Sequence, residues 1–183
     1  MAKKVAKTTS ISGVIKRRRY NLLVKGDYIS LISRVVILLL IGYLLCTHVI
    51  MLMRNTGMGM FPALQDGDLL LAYRLEENYA KEDAVIYKAD GKLTTGRIIA
   101  REGDYVNMDE NGTLYVNGTA QSGEIMYPTY AKEGLEYPYC VPEGMVFILG
   151  DYRTQAYDSR EHGPIPLSDV EGKILTLLRR KGI

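Results

Sequence analysis

Past the apolar segment that ends at Met53, hydroxyl nucleophiles are few: Ser122, Ser159 and Ser168 are the serines available. A serine attacks only with a base beside it, and lysine can serve when desolvation lowers its pKa until the neutral amine takes the hydroxyl proton. Metal chemistry has little material. Cys46 lies in the apolar segment and Cys140 far beyond it, with no C-x-x-C pair or histidine cluster, so neither a disulfide nor a metal site is expected, and no cofactor. His48 and His162 read as structural. The densest group of charged and hydroxyl side chains is Asp151, Arg153, Asp158, Ser159 and Arg160. A solvated surface turn is the plain alternative for that cluster. Gly57-Met58-Gly59, also taken alone, reads as a flexible turn that needs positive φ.

The elements that must carry these residues divide sharply by composition. Between Arg34 and Arg54 run 19 uncharged residues, Val35 to Met53; at about 1.5 Å per residue they make a helix of roughly 28 Å, close to the hydrocarbon thickness of a bilayer. The run is too long for a cleaved secretory signal, and no small-x-small cleavage site follows it. Residues 34–54 are therefore expected to be one transmembrane helix. Residues 1–34 hold nine Lys or Arg against the single acid Asp27, whereas residues 54–183 hold fourteen against twenty Asp or Glu. Positive residues beside a span stay in the cytoplasm, so Lys16-Arg17-Arg18-Arg19, Lys25 and Arg34 predict a basic cytoplasmic tail over 1–33 and an extracellular domain over 55–183. The localisation expected is the cell membrane, single-pass. Topology and attraction to anionic lipid account for the basic run, and no nucleic-acid partner is expected.

After the span, short apolar runs are cut by turn residues, which predicts a mainly β, antiparallel domain. The strands read as Asp68–Arg74, Ala84–Tyr87, Leu93–Ala100, Tyr105–Met108, Leu114–Asn117, Met145–Leu149 and Lys173–Leu178. Asn111-Gly112 and Asn117-Gly118 supply residues that tolerate the positive φ of tight turns, and Tyr105–Asn117 reads as a hairpin. Ala120–Glu143 is Tyr-rich, punctuated by Gly and Pro, and aperiodic. It is expected to be an irregular insertion or cap.

Three blocks follow the span in order: Gly57-Met58-Gly59-Met60-Phe61-Pro62-Ala63-Leu64-Gln65-Asp66-Gly67-Asp68, then Gly96-Arg97-Ile98-Ile99-Ala100-Arg101-Glu102-Gly103-Asp104, then Gly150-Asp151-Tyr152-Arg153-Thr154-Gln155-Ala156-Tyr157-Asp158-Ser159-Arg160. They resemble the G-x-S-M-x-P-T-L-x-x-G-D, K-R-V-I-A-L-P-G-D and G-D-N-R-x-x-S-x-D-S-R segments of the type I signal peptidases, which are membrane-anchored Ser/Lys peptidases. The resemblance runs from roughly Val35 to the C-terminus. It puts Gly59 on the nucleophilic serine, Ala63 on a threonine, Gly96 on the lysine base and Ala156 on the serine that supports the lysine. No catalytic residue is intact on this alignment. Asp151, Arg153, Asp158, Ser159 and Arg160 are retained, and the resemblance implies that they brace the loops of the site. Lys88 and Lys92 precede Gly96 by eight and four residues, but a slip of four would displace the well-matched Arg97–Asp104 segment.

The resemblance also implies an extended polypeptide lying beside the nucleophile strand, a mode that does not depend on the two missing side chains. The groove residues expected are Gly57, Met58, Met60, Phe61 and Pro62, with Met58, Met60 and Phe61 as an adaptable apolar tip for peptide or lipid. A single span with a lost dyad is similar to the pilus-associated members of the family, which implies an accessory or chaperone-like factor for secreted polypeptides, with pilin and sortase as partners. Two alternatives stand beside it: an active signal peptidase using other residues, and an inert anchor subunit of a peptidase complex. If the geometry of the dyad is kept, Gly59→Ser, Gly96→Lys and Ala156→Ser together are expected to return some activity.

Overall fold

The computed structural model describes residues 11–121 and 127–179. It divides into two compact units, one ending at Leu45 and one beginning at Cys46. The first is a single helix, α1 (Ile11–Leu44), continued by a π-helical turn over Leu45–Val49. Arg18–Val49 is long and apolar enough to cross a membrane, and none of its apolar window is buried within the protein. The expected span of 34–54 is corrected at its end, because Ile50–Arg54 is strand β1. An apolar run carries no mark where helix gives way to strand. Burial supplies it: Leu52 is 63% exposed, while Met53 packs beneath the sheet.

In the second unit, β1 opens a seven-stranded sheet with β2 (Leu69–Tyr73), β3 (Ala84–Ala89), β4 (Lys92–Arg101), β9 (Met145–Leu149), β10 (Ile165–Pro166) and β11 (Val170–Leu178). Their order is β1-β2-β11-β3-β4-β9-β10, antiparallel wherever they pair. A second sheet, ordered β7-β6-β5-β8, holds β5 (Tyr105–Met108), β6 (Leu114–Val116), β7 (Thr119–Ala120) and β8 (Tyr139–Cys140). The expected Tyr105–Asn117 hairpin is β5 paired with β6, and Asn117 and Gly118 take the positive φ of the next turn. All seven strands read from the sequence are present. The aperiodic stretch 120–143 contains only the last residue of β7 and the two residues of β8 as strand among its described residues.

Both faces of β9 are covered. Val146 and Ile148 join Val85, Tyr87 and Ile98 in one apolar cluster, while Phe147 and Leu149 join Val106 and Val116 in another. A strand buried on both sides has no polar face, which is why Met145–Leu149 reads as an unbroken apolar run. In β4 a register shift between Ile98 and Ala100 lets three successive residues, Ile98, Ile99 and Ala100, all be buried. These two central strands carry the second and third sequence blocks into the interior.

Candidate functional site

The first block is the loop between β1 and β2, and it is tied down at both ends. Asn55 is 2% exposed; its Nδ2 donates to the Gly57 carbonyl at 3.3 Å and the Gln65 carbonyl at 2.9 Å. Its Oδ1 accepts from Thr95 Oγ1 at 3.0 Å, which fixes the loop to β4 one residue before Gly96. At the far end Asp68 accepts from Gln65 N–H, and Arg179 grips its carboxylate with Nε at 3.0 Å and Nη2 at 2.7 Å. The Arg179 hydrogen bond, outweighing burial, holds the Asp68 carboxyl below its usual range. Nη2 of Arg179 also donates to the Ala63 carbonyl. Met60 is not at an apolar tip as expected: it is 0% exposed and packs with Leu64 and Leu70, so it anchors the loop from below. Met58 and Pro62 are exposed and Phe61 is half-buried.

The third block folds across this loop. Gly59 O accepts from Tyr152 N–H at 3.0 Å. The Tyr152 ring lies 4.6 Å from that of Tyr127 and 6.1 Å from that of Phe61, an aromatic row beside Gly59. Asp151 takes a bidentate pair from Arg97, at 2.8 and 2.6 Å, which raises the pKa of that guanidinium. Asp158 and Arg160, each 1% exposed, form a second bidentate pair at 2.8 Å. Asp158 also accepts from Gly150 N–H and caps α2 (Ser159–His162), and Arg160 donates to the carbonyls of Arg153 and Tyr130. Arg153 is the member with no carboxylate among the described residues: it is 2% exposed, donates to Thr129 Oγ1, and leaves Nε unpartnered. Burial pushes its pKa down to about 10. The cluster is therefore an interior network and not a solvated turn.

The two glycines and Ala156 are linked through this network. A Cβ placed on Gly59 would find Ala156 Cβ at 3.8 Å and nothing closer. Gly150 lies between them; a Cβ there would fall 2.3 Å from Ala156 Cβ and 2.5 Å from Gly59 O, so only glycine fits. Leu149, the residue before it, faces Arg97 across the β4–β9 ladder, and Gly96 is one position away. Positive φ is found at Gly57 but not at Gly59 or Gly96. The backbone therefore does not demand glycine at either of those two positions.

The described serines and lysines weighed in the sequence lie away from Gly59 and Gly96. Ser159 is 0% exposed, and its Oγ accepts from Ile148 N–H in the interior. Ser168 is exposed in a 3₁₀ turn, Leu167–Asp169, and Ser122 lies outside the described residues. Lys88 and Lys92 are exposed near the tip of the β3–β4 hairpin. Lys132, which no sequence motif marked, does approach the site. Its Nζ donates to the Ala156 carbonyl at 2.7 Å and to Glu161 at 2.9 Å. Asn55, Thr95 and Arg179 were also unmarked in the sequence; Arg97 carried a signal, as the residue after Gly96 in the second block. His162 is the last residue of α2, with Nδ1 on the Gly163 carbonyl and the ring against Tyr157 and Tyr87.

A family model described as signal peptidase, peptidase S26, matches residues 28–178. The chain belongs to this family. Among its relatives, the probable thylakoidal processing peptidase 2 of Arabidopsis thaliana is 35% identical over 130 residues, 62% of this chain and 34% of that protein. Signal peptidase I of Bacillus caldolyticus is 28% identical over 134 residues, 64% of this chain and 73% of that protein. The chain spans only about a third of the length of the two plant processing peptidases it matches, 34% and 37%. A crystal structure of a signal peptidase I from Enterococcus faecalis aligns with a TM-score of 0.46 at 30% identity, covering 55% of this chain and 98% of that one.

Proposed function

We propose that this chain is a non-catalytic signal-peptidase-like membrane protein that binds secreted polypeptides, with pilins handled by a sortase as the partners its resemblance suggests, and assists surface-protein assembly. What supports this reading is that the motif resemblance sets glycines, Gly59 and Gly96, on the family's nucleophile and base positions, with Ala156 beside Gly59. Glycine at 59 and at 96 supplies neither a hydroxyl nor an amine, while the bracing pairs Arg97–Asp151 and Asp158–Arg160 are kept. A fold maintained at that cost, without its reacting atoms, fits binding. Met58, Phe61 and Pro62 offer an adaptable apolar edge for an extended peptide. The basic residues before the span put the N-terminus in the cytoplasm and the β domain outside.

The test is reconstitution of the full-length protein with a preprotein, in the absence of any active relative. Loss of a nucleophile in a serine protease costs on the order of 10⁶ in kcat, so no processing is expected on the timescale of an enzyme assay. A photo-crosslinker at Met58 is expected to capture secreted precursors in cells. Processing at ordinary enzyme rates would refute the reading, as would a Met58 probe that captures nothing from a strain making the surface proteins. Protease added to intact protoplasts is expected to remove the β domain and spare the basic tail; protection of the domain would reverse the orientation.

A further inference from the structure

A side chain at position 96 has no room. Gly96 sits in β4 opposite Val85 of β3, and its neighbour Arg97 faces Leu149 of β9. A Cβ there would lie 2.4 Å from Ile148 Cγ2, 3.0 Å from Tyr87 Cε1 and 3.4 Å from the Leu149 carbonyl oxygen. Carbon atoms in favourable contact are about 3.5–4.0 Å apart, so the first of these distances is a collision and the second is tight.

Neither neighbour can readily step aside. Ile148 and Tyr87 are 0% and 1% exposed and share one apolar cluster with Val85 and Ile98. The backbone at Ile148 is pinned by its N–H donating to Ser159 Oγ at 3.0 Å. Its Cγ2 is a branch methyl on Cβ, placed by χ1 alone, and no distal torsion can withdraw it. Position 59 differs in kind, since a Cβ there meets nothing within 3.8 Å.

The geometry points to a takeover of the base site: Ile148 and Tyr87 occupy the space through which any general-base side chain from position 96 would pass, and the branch methyl of Ile148 is what closes it. The inference rests on the assignment of Gly96 to the base position. It revises the expected rescue, because Gly59→Ser, Gly96→Lys and Ala156→Ser leave the obstruction in place. An unbranched residue is needed at 148. Methionine has no branch on Cβ and three rotatable bonds with which to refill the gap.

Thermal unfolding of the full-length protein in detergent tests the packing directly. Gly96→Ala is expected to lower Tm by roughly 5 °C through overpacking. In an Ile148→Met background the same change is expected to cost less than half of that, the coupling that a double-mutant cycle isolates. An unchanged Tm for Gly96→Ala, or an equal drop in both backgrounds, would overturn the takeover. Preprotein cleavage gives the second readout: the triple replacement at 59, 96 and 156 is expected to stay inactive, and processing by that variant with Ile148 and Tyr87 intact would also overturn it. Processing by the parent chain would instead refute the non-catalytic reading, and the Tm cycle would still report on the packing around Gly96.

Discussion

At Gly59 a methyl group would meet one partner, Ala156 Cβ at 3.8 Å, whereas at Gly96 it would be driven to 2.4 Å from Ile148 Cγ2. The loop holding Gly59 is fastened by the Asn55 amide, which donates to the Gly57 and Gln65 carbonyls, and by the Asp68 carboxylate, which accepts from Gln65 N–H, and it leaves Met58 and Pro62 exposed to solvent. The strand holding Gly96 is closed by apolar packing. Loss of a polar side chain from a solvated loop leaves the surroundings as they were. Loss from a packed sheet invites neighbours to fill the gap, because interiors hold few voids. The same residue type therefore marks an open position in one region and a sealed one in the other.

The largest expected effect removes what both regions share. Asp158 accepts from Gly150 N–H and pairs with Arg160 in the interior, so Asp158→Ala leaves a buried guanidinium without its partner. A loss of about 3–5 kcal/mol is expected in chemical denaturation of the full-length protein. A loss below 1 kcal/mol would show that the third block does not brace the loop and the sheet together.

Next in size is the acid sensitivity of the loop's far end. Asp68 is ionised in the folded protein, the Arg179 hydrogen bond holding its carboxyl below the ordinary carboxylate range. Its stabilisation is complete above the unfolded pKa of about 3.9 and fades as the pH falls through the lower folded value. Asp68→Asn is expected to cost about 1.5–3 kcal/mol at pH 7, the range for a hydrogen bond to a charged group. The gap from the parent should close only below about pH 4. A gap that stays constant down to pH 2 would detach the effect from this carboxylate.

Asn55→Ala cuts the tie from the loop to Thr95 of β4. A cost of about 1–2 kcal/mol is expected, with a double-mutant cycle against Thr95→Val showing that the two positions are coupled. Additive effects would mean that the loop and β4 are held independently. Gly59→Ala is expected to do least, a gain of about 0.4–1 kcal/mol by restricting the unfolded chain where the native backbone accepts alanine. A clear destabilisation by that change would erase the contrast with Gly96.

Strand positions were legible because turn residues and apolar runs mark them locally, and the sheets kept every strand so expected. β1 was hidden, since Ile50–Met53 extends the apolar run of the helix and only burial shows that the run has changed period. The two-residue strands β7, β8 and β10 are too short to leave any pattern. Motif blocks likewise located Gly59, Gly96, Ala156 and the acid–base cluster. They placed Met60 on the groove, although it is buried beneath the loop, because a motif records spacing and not the direction of a side chain.

The sequence by itself determined the order of the blocks, the charge asymmetry about the apolar segment, and the absence of a hydroxyl and an amine at 59 and 96. Each is a property of residue identity along the chain. Tertiary structure alone decided that Asp151 pairs with Arg97, that Arg153 is buried without a carboxylate among the described residues, and that Ile148 and Tyr87 crowd Gly96. Those facts depend on strands β3, β4 and β9 lying side by side, and contacts such as Gly96 with Ile148 and Arg97 with Asp151, between residues more than fifty positions apart, leave no trace in local composition.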